Sequence, residues 1–301
     1  MNPDAAHHGV SSVGLTLPRA LKRHILDGVM LLPLCLYLLA FTALPLLSCI
    51  VMSFTEASSQ LFPSWENYRL LFSDRQFHLA LRNTLWLTGV GVTLQLLVGL
   101  AVALVLHNLA RGRGAVRTIV LLPLGVPTIV AGVIFSYVFG GAGYLNELLM
   151  RLGLIATPVD WTGGDWLSLG VLLAADLWKV TPLITLILLA GLETIPDSAL
   201  EAAEVDGASG WRRFWYVILP LLRPSLTMAV IVRAIDAFRI FELPLILTGK
   251  STPVLGTLAY SEYYDYDNPF TSAAVATLLL GLIAICLTGY LGLVARRDAE
   301  A

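Results

Sequence analysis

Charge is what this chain of 301 residues most lacks. Charged residues make up 13% of it and hydrophobic residues 57%, where an average soluble domain carries roughly 25% charge. A chain so poor in charge cannot cover itself with polar surface, which excludes a water-soluble globular protein and places it in lipid. Cysteine is scarce too. Cys35, Cys49 and Cys286 each fall inside an apolar stretch with no CxxC pair, so neither a disulfide framework nor a thiolate metal site is expected. The five histidines form no metal-like or acid–base cluster, and His7 and His8 sit side by side in the N-terminal tail. No serine lies in a GxSxG elbow. Gly249-Lys250-Ser251 has the tail of a phosphate-binding loop, but Pro244 stands where GxxxxGK[ST] needs its first glycine. The reading is therefore of no catalytic residue, no metal ligand and no ATPase machinery: not an enzyme. The formal net charge of −2 gives no reason to expect nucleic acid as a partner.

What the chain has in abundance is long apolar runs. About 20 apolar residues cross a bilayer as a helix, and six stretches qualify: 26–54, 83–107, 117–139, 168–191, 222–247 and 271–295. The fold expected is all-α, a polytopic membrane protein of six transmembrane helices with one membrane domain over 25–295. Tails of 1–24 and 296–301 flank it, and no connector is long enough for a soluble domain. Pro33 and Pro45 predict tilt or kinks in the first span. That run, from about Ile25 to Phe54, far exceeds the apolar core of a cleavable signal peptide.

Lysine and arginine in the connectors set the orientation. One side collects Arg19, Lys22, Arg23, Arg111, Arg113, Arg117, Arg212, Arg213, Arg223, Arg296 and Arg297, the other only Arg69, Arg75, Arg82, Arg151 and Lys250. Eleven against five puts both termini and the connector 192–221 in the cytosol of a cell-membrane protein. On the outer side, 61–82 has the near-helical apolar spacing of an interfacial helix, 140–167 reads as a glycine-rich loop anchored by Trp161 and Trp166, and 260–270 is dense in Tyr and Asp. That last composition suits sugar hydroxyls and a membrane rim equally.

Charges within the spans are costly and face the bundle interior, a partner or water. Asp176 and Lys179 lie three apart in the fourth span, and Arg233, Asp236, Arg239 and Glu242 form a ladder of alternating sign in the fifth. At three-residue steps the ladder drifts around a continuous helix, so its four members are not expected to face one small cavity. Arg233 and Asp236 are assigned to structural ion pairing, and Arg239 and Glu242, with Phe238 and Phe241, to a solute path shared with Asp176 and Lys179.

The most specific segment is EAAEVDGASGWRRFWYVILP, 201–220. Pro196 suits a helix start, Gly207 suits a positive-φ turn, and Ser209–Ile218 predicts a second short helix before Pro220. Two short helices on a membrane protein make a knob for a partner to grip. The segment resembles the EAA loop of ABC-importer permeases: Glu201, Ala202, Ala203, three residues including Asp206, Gly207, nine residues, Val217 where the family usually has Ile, one more, then Leu219-Pro220. LLPLGVPTIVAGVIFSYVF at 121–139, LWKVTPLITLILLAGLETIP at 177–196 and the charge ladder look like core helices of the maltose- and trehalose-type permeases. The resemblance implies that Glu201, Ala202, Ala203, Asp206, Gly207, Leu219 and Pro220 form the coupling element. It also implies a second similar permease, two cytosolic ATPase subunits using ATP and Mg, an extracytoplasmic solute-binding protein and a sugar-like solute. This chain itself would bind no cofactor. The rival reading is an ion-gradient-driven secondary carrier with the ladder as relay. Such folds show internal repeats, and the two halves show none.

Overall fold

A computed structural model describes residues 30–109 and 111–300; the reading of 1–24 as a tail, with His7 and His8, falls outside them. All regular structure in these residues is helical. Thirteen helices are distinguished: α1 Met30–Ser53, α2 Glu66–Ser73, α3 Arg75–Asn108, α4 Arg113–Gly125, α5 Thr128–Phe139, α6 Tyr144–Arg151, α7 Trp166–Glu193, α8 Asp197–Val205, α9 Gly210–Leu221, α10 Arg223–Phe238, α11 Glu242–Leu247, α12 Leu255–Tyr264 and α13 Pro269–Glu300. Five stretches are long and apolar enough to cross a membrane: α1, α3, Thr128–Arg151, α7 and Pro269–Arg296. A sixth is the pair α9 and α10, bent by 65°.

The chain divides into Met1–Cys49 and Ile50–Ala301. In the first part, α1 carries a five-residue π turn, Leu39–Ala43, just before Pro45, whose missing N–H interrupts the regular ladder. In the second, α3 and α7 make the central helix pair, α10 crosses both, and α12 packs on α13 and α3. Lipid offers no hydrophobic gain for helix association, so close approach depends on small residues. Gly99 on α3 is one: a Cβ there would lie 2.9 Å from Cγ2 of Ile184. Gly191 on α7 is another, where a Cβ would fall 2.2 Å from Oγ of Ser225 on α10. Around these crossings Leu106, Ile184, Leu188, Leu192 and Leu222 are buried together.

Proline fixes the breaks. Pro127 lacks an N–H and pushes Val126 into an extended conformation, ψ 127°. The expected third span, 117–139, is therefore two helices, and its apolar stretch runs Thr128–Arg151 instead. The expected fifth span, 222–247, also breaks, between α10 and α11. In a continuous helix the Pro244 ring would collide with the Ile240 carbonyl. The break puts Pro244 in the first turn of α11, where no N–H is needed. The 140–167 connector contains α6 and is organised by fully buried Asn146. Its Nδ2 donates to Gly141 O and Val159 O, and its Oδ1 accepts from Val159 N and Trp161 Nε1, at 2.8–3.1 Å.

Hydrogen bonds tie the bundle at the end opposite 192–221. Asn83 Nδ2 donates to Pro253 O (2.9 Å), Leu255 N to Thr84 Oγ1 (2.9 Å), and the hydroxyls of Ser168 and Thr252 meet at 2.6 Å. They fix the 248–255 segment, and so the direction of α12, against α3 and α7.

Candidate functional site

The two helix breaks face one another across a cavity of about 710 Å³. Its wall includes Leu124 from α4, Thr128 at the start of α5, Asp176, Lys179 and Val180 from α7, Arg233 and Asp236 from α10, and Arg239 to Leu243 across the α10–α11 break. Residues flanking both breaks thus share one cavity wall.

Arg233 is the keystone of one wall. It is 2% exposed and bonds three neighbours: Nε to Gln95 Oε1, Nη2 to Asp176 Oδ2, and Nη1 to Asp236 Oδ2 at 2.7 Å. Gln95 Nε2 in turn donates to Asp176 Oδ2 at 2.9 Å and to the Asp176 carbonyl at 3.2 Å. One guanidinium thus joins α3, α7 and α10, and its planar fork is suited to such shared bonding. Gln95 and the Asp176–Arg233 pairing were not part of the sequence reading. The available signal was Gln95, an amide in the middle of the apolar second span.

Lys179 does not pair with Asp176. Its Nζ donates to Pro123 O and Leu124 O, both at 3.1 Å. These carbonyls belong to the last turn of α4; Pro123 O also accepts from Val126 N at 3.2 Å, while Leu124 O is left without a helical partner by the break at Pro127. A cation there also meets the negative end of the helix dipole.

The ladder differs from expectation: Arg233, Asp236, Arg239 and Glu242 all contribute to this one cavity. The predicted drift assumed a continuous helix, whereas α10 ends at Phe238 and Phe241 adopts φ −141°, ψ −59°. The break resets the direction of the following residues. Asp236, Arg239 and Glu242 are exposed, and among the described residues neither Arg239 nor Glu242 has an ion-pair partner. Phe241 lines the cavity; Phe238 is buried and does not.

At the other end of the chain's polar geography is the loop. Pro196 caps α8, and the helix ends in a Schellman motif: Gly207 N donates to Glu204 O and Ala208 N to Ala203 O, with Gly207 at φ 72°. Ser209 caps α9 through Oγ. A π turn, Phe214–Ile218, precedes Pro220, and the helix then bends into α10. Ala203 is buried, Leu219 and Pro220 are half-buried, and Glu201, Ala202, Asp206 and Gly207 are exposed with Val205, Trp211 and Tyr216. The two short helices expected from the sequence are present, the second running through Leu221.

Among the described residues no group of His, Cys, Asp and Glu is placed to hold a metal ion. Residues 95–297 match the family of binding-protein-dependent transport system inner membrane components. The chain belongs to that family. This permease is 40% identical over 222 residues to the trehalose transport system permease protein SugA of Mycobacterium tuberculosis, covering 73% of this chain and 70% of SugA. It is 36% identical over 267 residues to the trehalose/maltose transport system permease protein MalF of Thermococcus litoralis, covering 86% and 90%. In fold it matches a chain of a bacterial ABC transporter involved in import of the acidic polysaccharide alginate. There the TM-score is 0.82 at 22% identity, over 92% of this chain and 98% of that one. The permease is thus a multi-pass membrane component of an ABC import system, and the ion-gradient carrier finds no support.

Proposed function

We propose that this permease forms half of the translocation path of an ATP-driven importer for a neutral sugar such as a disaccharide. The observation that carries the reading is the cavity at the two helix breaks, where Asp236, Arg239 and Glu242 stand exposed beside the buried Arg233–Asp176 pair. Polar groups at such a depth are expensive unless they serve water or a solute, and broken helices at the bundle centre are where transporters place their sites. The sugar names of the 40% and 36% identical relatives support the solute class. The path is completed by a second, similar permease. Two cytosolic ATPase subunits, which bind ATP and Mg, grip the knob of α8 and α9 through Glu201, Ala202, Asp206 and Gly207. An extracytoplasmic binding protein delivers solute at the opposite end, and both termini lie in the cytosol.

In this reading the ATPase supplies the differential affinity that shifts the bundle between its two states. Arg233, Asp176 and Gln95 hold the wall, and Arg239, Glu242 and Phe241 meet the solute. The test is uptake of labelled trehalose and maltose into liposomes by the assembled complex. Arg239→Ala and Glu242→Ala should assemble and lose uptake; normal uptake by both would refute the assignment of this cavity.

A further inference from the structure

An aromatic chain leads out of the cavity. Phe241, in the cavity wall, lies 5.3 Å from Tyr260 between ring centroids, and Tyr260 lies 5.4 Å from Tyr264 with the two planes 16° apart. Tyr260 and Tyr264 are four apart on α12 and so share one helix face. The opposite face buries Leu255 and Leu258 against α3 and α13, which fixes the direction in which the tyrosines look. The seat is close: a Cβ on Gly256 would lie 2.8 Å from the Ile240 carbonyl, so α12 rests directly on the α10–α11 break. Exposure rises along the row, from half-buried Phe241 through Tyr260 at 36% to Tyr264 at 71%.

We propose that Phe241, Tyr260 and Tyr264 form a stacking ramp that receives a pyranose ring and guides it into the cavity. The proposal rests on the sugar reading above and adds a site to it. A pyranose presents a face of polarised C–H bonds, which suits the negative face of an aromatic ring, while its hydroxyls stay wet at the rim. A belt of tyrosines serving only the membrane interface would have no reason to continue into a polar cavity, yet Phe241 shares that cavity with Arg239 and Glu242. Lys250, beside the ramp, is taken up by Asp265 at 2.9 Å and lies over the Tyr266 ring at 5.5 Å. Lys250 is thus engaged, and Tyr260 and Tyr264 themselves present an aromatic surface suited to a neutral ring.

The test uses the complete complex in liposomes, with trehalose and maltose as probes. Tyr264→Leu and Tyr260→Leu keep apolar bulk and lose the ring; Tyr264→Phe and Tyr260→Phe keep the ring and lose the hydroxyl. For each leucine variant the half-saturation concentration should rise about three- to tenfold, the scale of one aromatic stacking contact. The phenylalanine variants should stay near wild type. Leucine variants that saturate as wild type does would overturn the ramp. A Tyr264→Trp complex gives a second readout independent of transport, a saturable change in tryptophan emission as disaccharide is added. If the wild-type complex moves neither sugar but this emission still responds, the solute reading fails and the ramp stands. If the emission is unresponsive as well, the ramp is refuted.

Discussion

Arg233 on α10 and Asp176 on α7, 57 positions apart in the chain, form an ion pair inside the bundle that Gln95 on α3 braces from the third side. The arrangement makes the wall of the cavity a single bonded unit. Removing Arg233 leaves buried Asp176 with only the neutral Gln95 amide, and removing Asp176 leaves buried Arg233 with only the exposed Asp236 as counter-charge. The loss is up to about 3–5 kcal/mol for a broken buried pair. Arg233→Met and Asp176→Leu should each cut the yield of assembled permease and lower its melting temperature. The double variant should recover much of the loss, because matched apolar groups leave no orphan charge. Fluorescence-detected size-exclusion after heating separates these outcomes.

Lys179 holds the free end of α4. Lys179→Met should loosen the last turn of α4 by about 1 kcal/mol, the scale of a cation at a helix terminus, without disturbing the Arg233 network. Amide hydrogen exchange would show faster exchange confined to residues 122–127. Unchanged exchange there would mean that the two carbonyl bonds contribute nothing.

Gly191 marks a close approach of α7 to α10. With a Cβ 2.2 Å from Ser225 Oγ and 2.8 Å from Leu222 Cδ1, Gly191→Ala must force the helices apart, at about 1–3 kcal/mol for overpacking. Gly170, on the same helix with nothing near its Cβ position, is the control. Gly170→Ala should leave the melting temperature unchanged or slightly raised.

Glu262 on α12 gives a pH dependence. Burial, with the Asp74 carboxylate nearby, holds its proton to a higher pH than an ordinary glutamate. Its folded pKa is raised, so the stability it contributes is complete below the unfolded pKa and is lost as pH rises through the folded one. Glu262→Gln should therefore match wild type in acid and melt higher than wild type above neutrality. A difference that grows toward acid would reverse the sign and the explanation.

The sequence revealed best what depends on local chemistry. Gly207 dictates a turn and Ser209 begins the second helix without need of tertiary contact, and the knob is built so, with Ser209 found as the cap. Four of the six apolar stretches, 26–54, 83–107, 168–191 and 271–295, coincide with helices long and apolar enough to span, because length and hydropathy alone decide what lipid accepts. The other two, 117–139 and 222–247, are displaced. The breaks were legible in principle: Pro127 in the middle of 117–139 and Pro244 near the end of 222–247 each remove an N–H, but a hydropathy window averages over a proline and reports one continuous helix. From that error followed the wrong geometry of the ladder. The partners of Asp176 and Lys179 were not legible. Arg233 and Gln95 meet Asp176 across three helices, and Lys179 reaches carbonyls that exist as acceptors only because α4 ends where it does.

The central claim is that ATP hydrolysis by a partner, transmitted through the α8–α9 knob, drives a sugar through the cavity. The most direct measurement is ATP-dependent uptake of labelled trehalose and maltose by the reconstituted complex, wild type beside Glu201→Lys and Gly207→Val. Gly207 sits at φ 72°, where a β-branched side chain is strained, and Glu201 is an exposed carboxylate on the knob. The account predicts sugar uptake that requires ATP in the wild type, and in both variants an assembled bundle with neither uptake nor sugar-stimulated ATP hydrolysis. Wild-type uptake driven by an ion gradient without ATP, or full uptake by both variants, would contradict it.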